Sequence, residues 1–268
     1  MAEVIAFVSI KGGVGKTTIA LETASSLAND FGKKVLLVDA NFSAPNIGLY
    51  LDLTNEFTLQ DSLSPSGTLL HNAIYESHGI DIIPSSLYYN GEIDVFKLKK
   101  VLGKFKSRYD FIILDSSPNY EELKPVVAAA DKIFIVTTPD DMTLKTSLKA
   151  AVIAKEQETP IMGIIVNKIR SPDYEYCLED IENIAEIPVM AKIWDNKCMA
   201  ESLYKKKPIT ILNSKSPISK EIRRFTSAIS GNPEEKKFIE RFWVFKNLMG
   251  KEKVNRELLR QKFYEEQF

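Results

Sequence analysis

The chain has 268 residues, of which 44% are hydrophobic and 26% charged, which fits one large α/β domain or such a domain with an appendage. Lysine and arginine number 35 against 36 acidic residues, so the overall charge gives no indication of a nucleic-acid partner. Cys177 and Cys198 lack metal-ligand spacing, and we expect buried or idle thiols in a reducing compartment. No apolar run reaches the length of a membrane-spanning helix and no signal peptide precedes the first strand, so we expect a cytoplasmic protein.

Seven apolar, β-branched runs predict strands that are buried on both faces of a parallel sheet. They cover residues 4–8, 35–38, 80–83, 111–114, 133–136, 161–166 and 189–193. Segments with helical periodicity lie between or after them, at 19–31, 95–105, 121–130, 144–156, 178–185 and 218–229. Strands that alternate with helices predict an α/β fold with a doubly wound, mostly parallel sheet and helices on both faces. Ligands bind such sheets at the carboxyl ends of the strands.

Residues 11–18, which we call the phosphate loop, read Lys-Gly-Gly-Val-Gly-Lys-Thr-Thr between the first apolar run and a helix. The glycines are expected to take positive φ, so that backbone N–H groups line a nest for phosphate at a helix N-terminus. Lys16 is placed to reach the β/γ phosphate oxygens, and the Thr17 hydroxyl to bind Mg²⁺. A merely flexible glycine turn is the alternative. The predicted nucleotide-binding residues here are Gly12, Gly13, Val14, Gly15, Lys16, Thr17 and Thr18.

Lys11 occupies a position that a general Walker A sequence leaves free. With it, the loop resembles the deviant Walker A loop of the MinD/ParA family of ATPases. The resemblance covers about residues 3–230 and implies the P-loop fold, ATP with Mg²⁺ as cofactors and a homodimer in the ATP state. It also implies that Lys11 reaches the phosphates bound by the partner subunit, whereas the alternative is an ordinary solvated loop lysine.

Two of the apolar runs end in an aspartate, and the resemblance assigns both to metal binding. Residues 39–46, Asp-Ala-Asn-Phe-Ser-Ala-Pro-Asn, correspond to switch I and look closest to archaeal MinD-like proteins. There Asp39 would hold the water shell of Mg²⁺, and a second acid usually positions the attacking water. This chain has Asn41 instead, and an amide can bond a water but cannot take its proton. Asp115-Ser-Ser-Pro matches the Walker B strand and switch II, so the predicted metal ligands are Thr17, Asp39 and Asp115.

Phosphoryl transfer depends mostly on positioning and electrostatics, so we expect slow hydrolysis despite the amide at position 41. The predicted catalytic residues are Lys11, Lys16, Asp39 and Asn41. Asn167 and Lys168 follow the run 161–166, where the family carries an asparagine that reads the adenine edge. An amide offers the paired donor and acceptor that adenine needs. A strand-end asparagine that begins a turn is the alternative.

The composition changes after Gly231-Asn232-Pro233, which predicts an ATPase domain at 1–231 and a basic tail at 232–268. Residues 236–262 hold nine Lys or Arg against three Glu, and their aromatic and aliphatic residues fall on one stripe of a helix. The residues on that stripe are Phe238, Phe242, Phe245 and Met249, with Ile239 alongside. Such an amphipathic helical tail is typical of a peripheral contact with anionic lipid on the inner face of the cell membrane. Packing on its own domain, DNA and a partner protein are the alternatives.

The resemblance predicts a dimerising, slow ATPase that positions or recruits cellular components, for instance at the cell division site, and that an unidentified protein activates. The rival prediction is a nucleotide-gated binding module that barely hydrolyses ATP, because Asn41 replaces the second acid of switch I. A ParA-like role on DNA is the third, and it requires a basic patch and salt-sensitive binding.

Overall fold

The computed structural model describes residues 1–65, 70–170 and 173–231. Within these ranges, eight strands form one sheet in the order β3-β4-β2-β5-β1-β6-β7-β8, parallel except for β3. The strands are β1 (Glu3–Val8), β2 (Val35–Ala40), β3 (Tyr75–Ser77), β4 (Ile80–Ile83), β5 (Phe111–Ser116), β6 (Lys132–Thr137), β7 (Ile161–Ile169) and β8 (Val189–Trp194). The predicted tail at 232–268 lies outside the described residues.

Helices cover both faces of the sheet, and two 3₁₀ turns, at Leu70–Ala73 and Val95–Lys97, accompany them. The helices are α1 (Lys16–Asn29), α2 (Ile47–Tyr50), α3 (Leu59–Leu63), α4 (Leu98–Gly103), α5 (Tyr120–Ala129), α6 (Asp141–Ser147), α7 (Lys149–Glu156), α8 (Leu178–Ala185), α9 (Lys197–Tyr204), α10 (Ile209–Leu212) and α11 (Pro217–Ser230).

Side chains alternate between two hydrophobic cores along each strand, as the two-residue period of a β-strand requires. In β1, Phe7 points into the core beneath α1 and α11, where its ring stacks on Phe134 and meets the edge of Phe225. Its neighbours Ala6 and Val8 point into the opposite core, beneath α4, α5 and α7. Helices on both faces confirm the predicted doubly wound α/β fold.

The predicted strands are all present, and the differences concern short elements. Strand β3 pairs with β4 across a turn in which His78 and Gly79 both take positive φ, which is the geometry of a tight hairpin. The predicted helix at 144–156 is two helices that meet at Leu148, and the segment at 95–105 is a 3₁₀ turn followed by α4. Helices α2, α3, α9 and α10 were not predicted; α2, α3 and α10 have only four or five residues, too few for a helical period to show in the sequence.

The end of the described chain coincides with a helix stop. Helix α11 ends at Gly231, whose φ of 65° is the left-handed conformation common after the last helical residue. The domain boundary at 231 remains a prediction. Both cysteines are free and neither is buried, so of the two expectations, buried or idle thiols, burial was wrong. Among the described residues, no helix has the length and apolar character needed to cross a bilayer.

Candidate functional site

The phosphate loop connects the carboxyl end of β1 to the first turn of α1. Gly13 and Gly15 take φ of 79° and 97°, and Gly15 is the N-cap of the helix. A β-carbon at Gly15 would collide with the amide nitrogen of Asn167, so glycine is required there for space as well as for φ. Gly12 does not take positive φ, contrary to prediction, and the space around it is open. The loop therefore turns at Gly13 and Gly15.

The two lysines of the loop face different surroundings. Lys16 is only 6% exposed, and its ammonium group donates to the carbonyl oxygen of Lys11 at 3.4 Å. Burial lowers the pKa of Lys16, and the nearby Asp115 carboxylate opposes that shift. Lys11 itself is exposed. One lysine is thus held inside the loop, while the other is free to meet a group outside the chain.

Thr17 and Asp115 form the part of the site that suits a divalent cation. The Thr17 hydroxyl donates to Asp115 Oδ2 at 2.6 Å, and Asp115 is fully buried at the end of β5. Its second oxygen, Oδ1, has no hydrogen-bond partner among the described residues. Burial raises the pKa of Asp115 to about 6, against the Thr17 bond and the Lys16 charge. A hydroxyl and a carboxylate oxygen are ligands that Mg²⁺ accepts, so these residues fit that ion.

Asp39 has a different set of partners from the one predicted. Its Oδ1 accepts from the Asn41 N–H at 3.2 Å, and its Oδ2 accepts from the N–H groups of Asn46 and Ile47, both at 3.0 Å. Burial and the Asp115 charge raise the pKa of Asp39 to about 8, and the three N–H groups oppose the rise. Asp39 therefore anchors switch I and the start of α2. Its predicted place beside the metal remains a prediction.

Asn41 is 5% exposed, and its side chain closes on its own loop. Its amide nitrogen donates to the Ala44 carbonyl oxygen at 2.6 Å, and its amide oxygen accepts from the Ala44 N–H at 3.3 Å. Within the described residues, the hydrogen bonds of Asn41 go to Asp39 and Ala44 and not to the phosphate loop. To position a water there, the side chain would have to leave Ala44.

A link between the two switch segments was missed by the sequence prediction. The hydroxyls of Ser43 and Ser117 lie 3.1 Å apart, and the Ser43 N–H donates to Glu122 Oε2 at 3.2 Å. Ser117 follows β5 and Glu122 lies in the first turn of α5. The only sequence signal was a hydroxyl residue beside each predicted switch aspartate.

Asn167 and Lys168 reach the phosphate loop from the end of β7. The Asn167 amide nitrogen donates to the Val14 carbonyl oxygen at 2.8 Å, and the Lys168 ammonium group donates to the Gly13 carbonyl oxygen at 2.7 Å. Both bonds fix carbonyl groups of the loop. The amide oxygen of Asn167 is left to accept a hydrogen bond from a ligand.

The predicted residues thus gather at the carboxyl edge of the sheet. Thr18 follows Thr17 in the first turn of α1, and the Val14 side chain is buried in the core beneath α1. Of the residues assigned to catalysis, Asn41 has its side-chain amide bonded to Ala44 of its own loop through both the nitrogen and the oxygen. Among the described residues, no group of three or more His, Cys, Asp or Glu could hold a metal ion.

The fold and this site define a nucleotide-binding P-loop protein. A family model described as an AAA domain matches residues 2–158. An uncharacterised ATP-binding protein of Methanocaldococcus jannaschii is 30% identical over 263 residues, which are 94% of this chain and 98% of the relative.

Solved structures of P-loop ATPases have the same fold as this chain. The cell division ATPase MinD of Pyrococcus furiosus superposes with a TM-score of 0.81 at 25% identity, over 86% of this chain and 99% of that one. The septum site-determining protein MinD of Pyrococcus horikoshii, complexed with Mg-ADP, superposes with a TM-score of 0.80 at 25% identity, over 85% of this chain and 96% of that one. The chain belongs to the MinD/ParA family of P-loop ATPases, as its phosphate loop predicted.

Proposed function

We propose that this chain is an ATPase of the MinD/ParA type that dimerises on ATP and uses slow hydrolysis to position or recruit other cellular components. The observation that carries the proposal is the Thr17–Asp115 pair. It places a fully buried carboxylate, with one oxygen unpartnered within the described chain, against the helix that begins at the phosphate loop. An unpaired buried oxygen is costly unless a ligand completes it.

In this proposal the N–H groups of the phosphate loop and the Lys16 ammonium group bind the phosphates of ATP. Thr17 and Asp115 hold Mg²⁺, which supplies charge stabilisation for the transferred phosphoryl group. Lys11, exposed beside the buried Lys16, is directed at the nucleotide of a second subunit. Asp39 keeps switch I in register with the metal site, because its carboxylate holds the backbone of that segment.

Adenine selectivity is assigned to Asn167 in the same proposal. One N–H of its amide nitrogen is used on the Val14 carbonyl oxygen, which leaves the amide oxygen and the second N–H for a base. Adenine presents an amino donor beside the acceptor N7, whereas guanine presents two acceptors there. An amide that offers one acceptor and one donor therefore favours ATP over GTP.

ATP-dependent dimerisation tests the proposal directly. The full chain is examined by size-exclusion chromatography with light scattering and by phosphate release, in Mg-ATP and in Mg-ADP. We expect dimers in ATP, monomers in ADP and slow turnover. Lys11→Ala is expected to bind ATP but remain monomeric, whereas Lys16→Ala is expected to lose ATP binding. A chain that stays monomeric in Mg-ATP, while binding it tightly, contradicts the proposal.

We also propose that residues 236–262 bind the membrane and that this binding is stronger in the ATP-bound dimer than in the ADP-bound monomer. The support is their composition, basic and rich in aromatic residues, since two weak lipid contacts in a dimer gain avidity over one. Sedimentation with anionic vesicles compares the full chain with one that ends at Gly231, where α11 is already capped. Pelleting of the full chain in ATP alone supports the membrane contact. If neither chain pellets, the membrane contact is wrong, and DNA or a partner protein becomes the proposed target of the tail.

A further inference from the structure

Two buried hydroxyls join the beginning of the phosphate-loop connection to a distant helix. Ser9 is the first residue after β1 and Ser147 is the last residue of α6, and their Oγ atoms lie 2.9 Å apart. Both side chains are 0% exposed. Strands β1 and β6 are parallel neighbours, so the segments that leave their carboxyl ends come together although 138 residues separate them.

Ser9 also holds the backbone of Lys11, whose N–H donates to Ser9 Oγ at 3.2 Å. The Ser9 hydroxyl can accept this bond and donate its own proton to Ser147, or accept from both. In either arrangement Ser147 fixes the side-chain rotamer of Ser9, on which the Lys11 bond depends. The hydrogen bond between Ser9 and Ser147 is shielded from solvent, so no water molecule replaces the Ser147 hydroxyl if that group is removed.

The same peptide segment is held from its other side. The Lys11 carbonyl oxygen accepts from the buried Lys16 ammonium group, so the backbone of Lys11 is fixed at its N–H and at its carbonyl oxygen. Its side chain is exposed. Because the backbone of Lys11 is held at both its N–H and its carbonyl oxygen, the direction in which its side chain leaves the backbone is fixed. A lysine that must reach a group on another subunit needs such a fixed direction.

Helix α6 connects this anchor to the surface. Met142, in the first turn of α6, is 70% exposed, and the neighbouring Asp141 accepts from the Tyr176 hydroxyl at 2.8 Å. Ser147 lies five positions after Met142, which is about 7.5 Å along a helix. Helix α6 therefore runs from the exposed Met142 to the buried contact with Ser9.

We propose that Ser147 is a positioning residue that sets the direction of the Lys11 side chain through Ser9. The inference rests on the proposed function, since it assigns a purpose to the direction of Lys11. The Ser147 hydroxyl bonds Ser9, which lies outside the predicted nucleotide-binding residues, so in this proposal it acts on dimerisation and turnover and leaves the affinity of one subunit for ATP unchanged.

The test is a double-mutant cycle in the full chain, with Ser147→Ala and Ser9→Ala made singly and together. Three quantities are measured: the Kd for a fluorescent ATP analogue with Mg²⁺, the dissociation constant of the ATP dimer, and turnover per subunit. For Ser147→Ala we expect nucleotide affinity within about twofold of wild type, and dimer affinity and turnover reduced about fivefold, the effect of one hydrogen bond. In the Ser9→Ala background, which keeps Lys11, the same substitution is expected to change none of the three.

Ser25→Ala is the matched control, because Ser25 is also a fully buried serine that bonds a distant hydroxyl, that of Thr210. It is expected to leave dimer affinity and turnover unchanged. Equal losses in Ser25→Ala and Ser147→Ala, or a loss from Ser147→Ala that persists in the Ser9→Ala background, would overturn the inference while leaving the proposed function intact. A wild-type chain that binds ATP without dimerising would overturn both.

Discussion

Asp39 and Asp115 lie opposite each other in the register of the neighbouring strands β2 and β5, and both carboxyl groups are fully buried. Burial raises both pKa values, and the Asp115 charge adds to the rise at Asp39. Their partners nevertheless differ. Asp39 is saturated by backbone N–H groups of switch I and α2, whereas Asp115 keeps an unpartnered oxygen. Two similar acids are therefore suited to two tasks, one to hold a loop and one to hold a cation.

The first prediction concerns the open oxygen of Asp115. Asp115→Asn is expected to weaken ATP binding in Mg²⁺ by at least about tenfold, because an amide is a poor ligand for this ion. Chelation of Mg²⁺ is expected to reduce wild-type affinity to the level of the variant and to leave the variant unchanged. Fluorescent-nucleotide titrations with and without chelator measure this.

Folding serves as the control for this substitution. The nucleotide-free variant is expected to melt no lower than wild type, since a buried charge has been removed. Asp173→Asn changes an exposed acid and is expected to have no effect on either measurement. Equal Mg²⁺ dependence in wild type and Asp115→Asn would show that the cation is bound elsewhere.

The second prediction concerns the base. Wild type is expected to prefer ATP to GTP by about tenfold or more, because the free acceptor of Asn167 matches the adenine amino group. Asn167→Ala is expected to abolish most of that preference. Lys168→Ala is the matched control, since it also removes a bond to a phosphate-loop carbonyl, at Gly13, but offers a base no acceptor. A preference lost equally in both variants would indicate that the loop shape, not Asn167, selects adenine.

The sequence was sufficient for the sheet and for the phosphate loop, because both depend on local patterns. Buried parallel strands require continuous apolar runs, and a phosphate nest requires glycines at fixed spacing before a helix. Strand β3, Tyr75–Ser77, has no such run and exists because the His78-Gly79 turn folds it onto β4.

Polar contacts between residues far apart in the chain could not be predicted from the sequence. The four-residue helix α10 begins where the N–H groups of Ile209 and Thr210 donate to Glu22, almost 190 residues earlier in the chain. The bonds from Asp39 to the backbone of switch I were missed for a related reason. Its partners are backbone N–H groups, which every residue except proline carries, so no pattern of residue types marks them.

The third prediction concerns Glu22, a fully buried acid between α1 and α10. Burial raises its pKa to about 7, against three hydrogen bonds from Ile209 and Thr210. The folded chain thus holds this proton more tightly than the unfolded chain. The contribution to stability is present in full below pH 4.5 and is lost as the pH rises through 7. That loss is about 3 kcal/mol.

Urea unfolding of the nucleotide-free chain at pH 5 and pH 7.5 checks this. Wild type is expected to lose free energy of unfolding between the two pH values, and Glu22→Gln to lose less, because glutamine does not titrate. The variant is also expected to be about 1–3 kcal/mol less stable at pH 5, since its amide nitrogen cannot accept from these N–H groups. Glu156→Gln, at an exposed site, should behave as wild type. The same pH dependence in Glu22→Gln and wild type would assign it to other groups.

The last prediction separates a slow ATPase from a nucleotide-gated binding module. Asn41→Asp removes the donor that bonds the Ala44 carbonyl oxygen and supplies a carboxylate that can take a proton from water. Turnover measured by phosphate release is expected to rise by about tenfold or more. Asn46→Asp is the matched control, because Asn46 also donates its amide to the Ala44 carbonyl oxygen, from a more exposed position. It loses the same kind of bond without placing an acid at the second switch position.

The wild-type rate then decides between the two functions. Turnover that is measurable in wild type and faster in Asn41→Asp supports an ATPase whose rate the amide limits. No detectable turnover in wild type, with turnover appearing in Asn41→Asp, supports the binding module. An equal rise in Asn41→Asp and Asn46→Asp would contradict the catalytic assignment of Asn41, because release of the Ala44 carbonyl oxygen, and not the new carboxylate, would then account for the faster reaction.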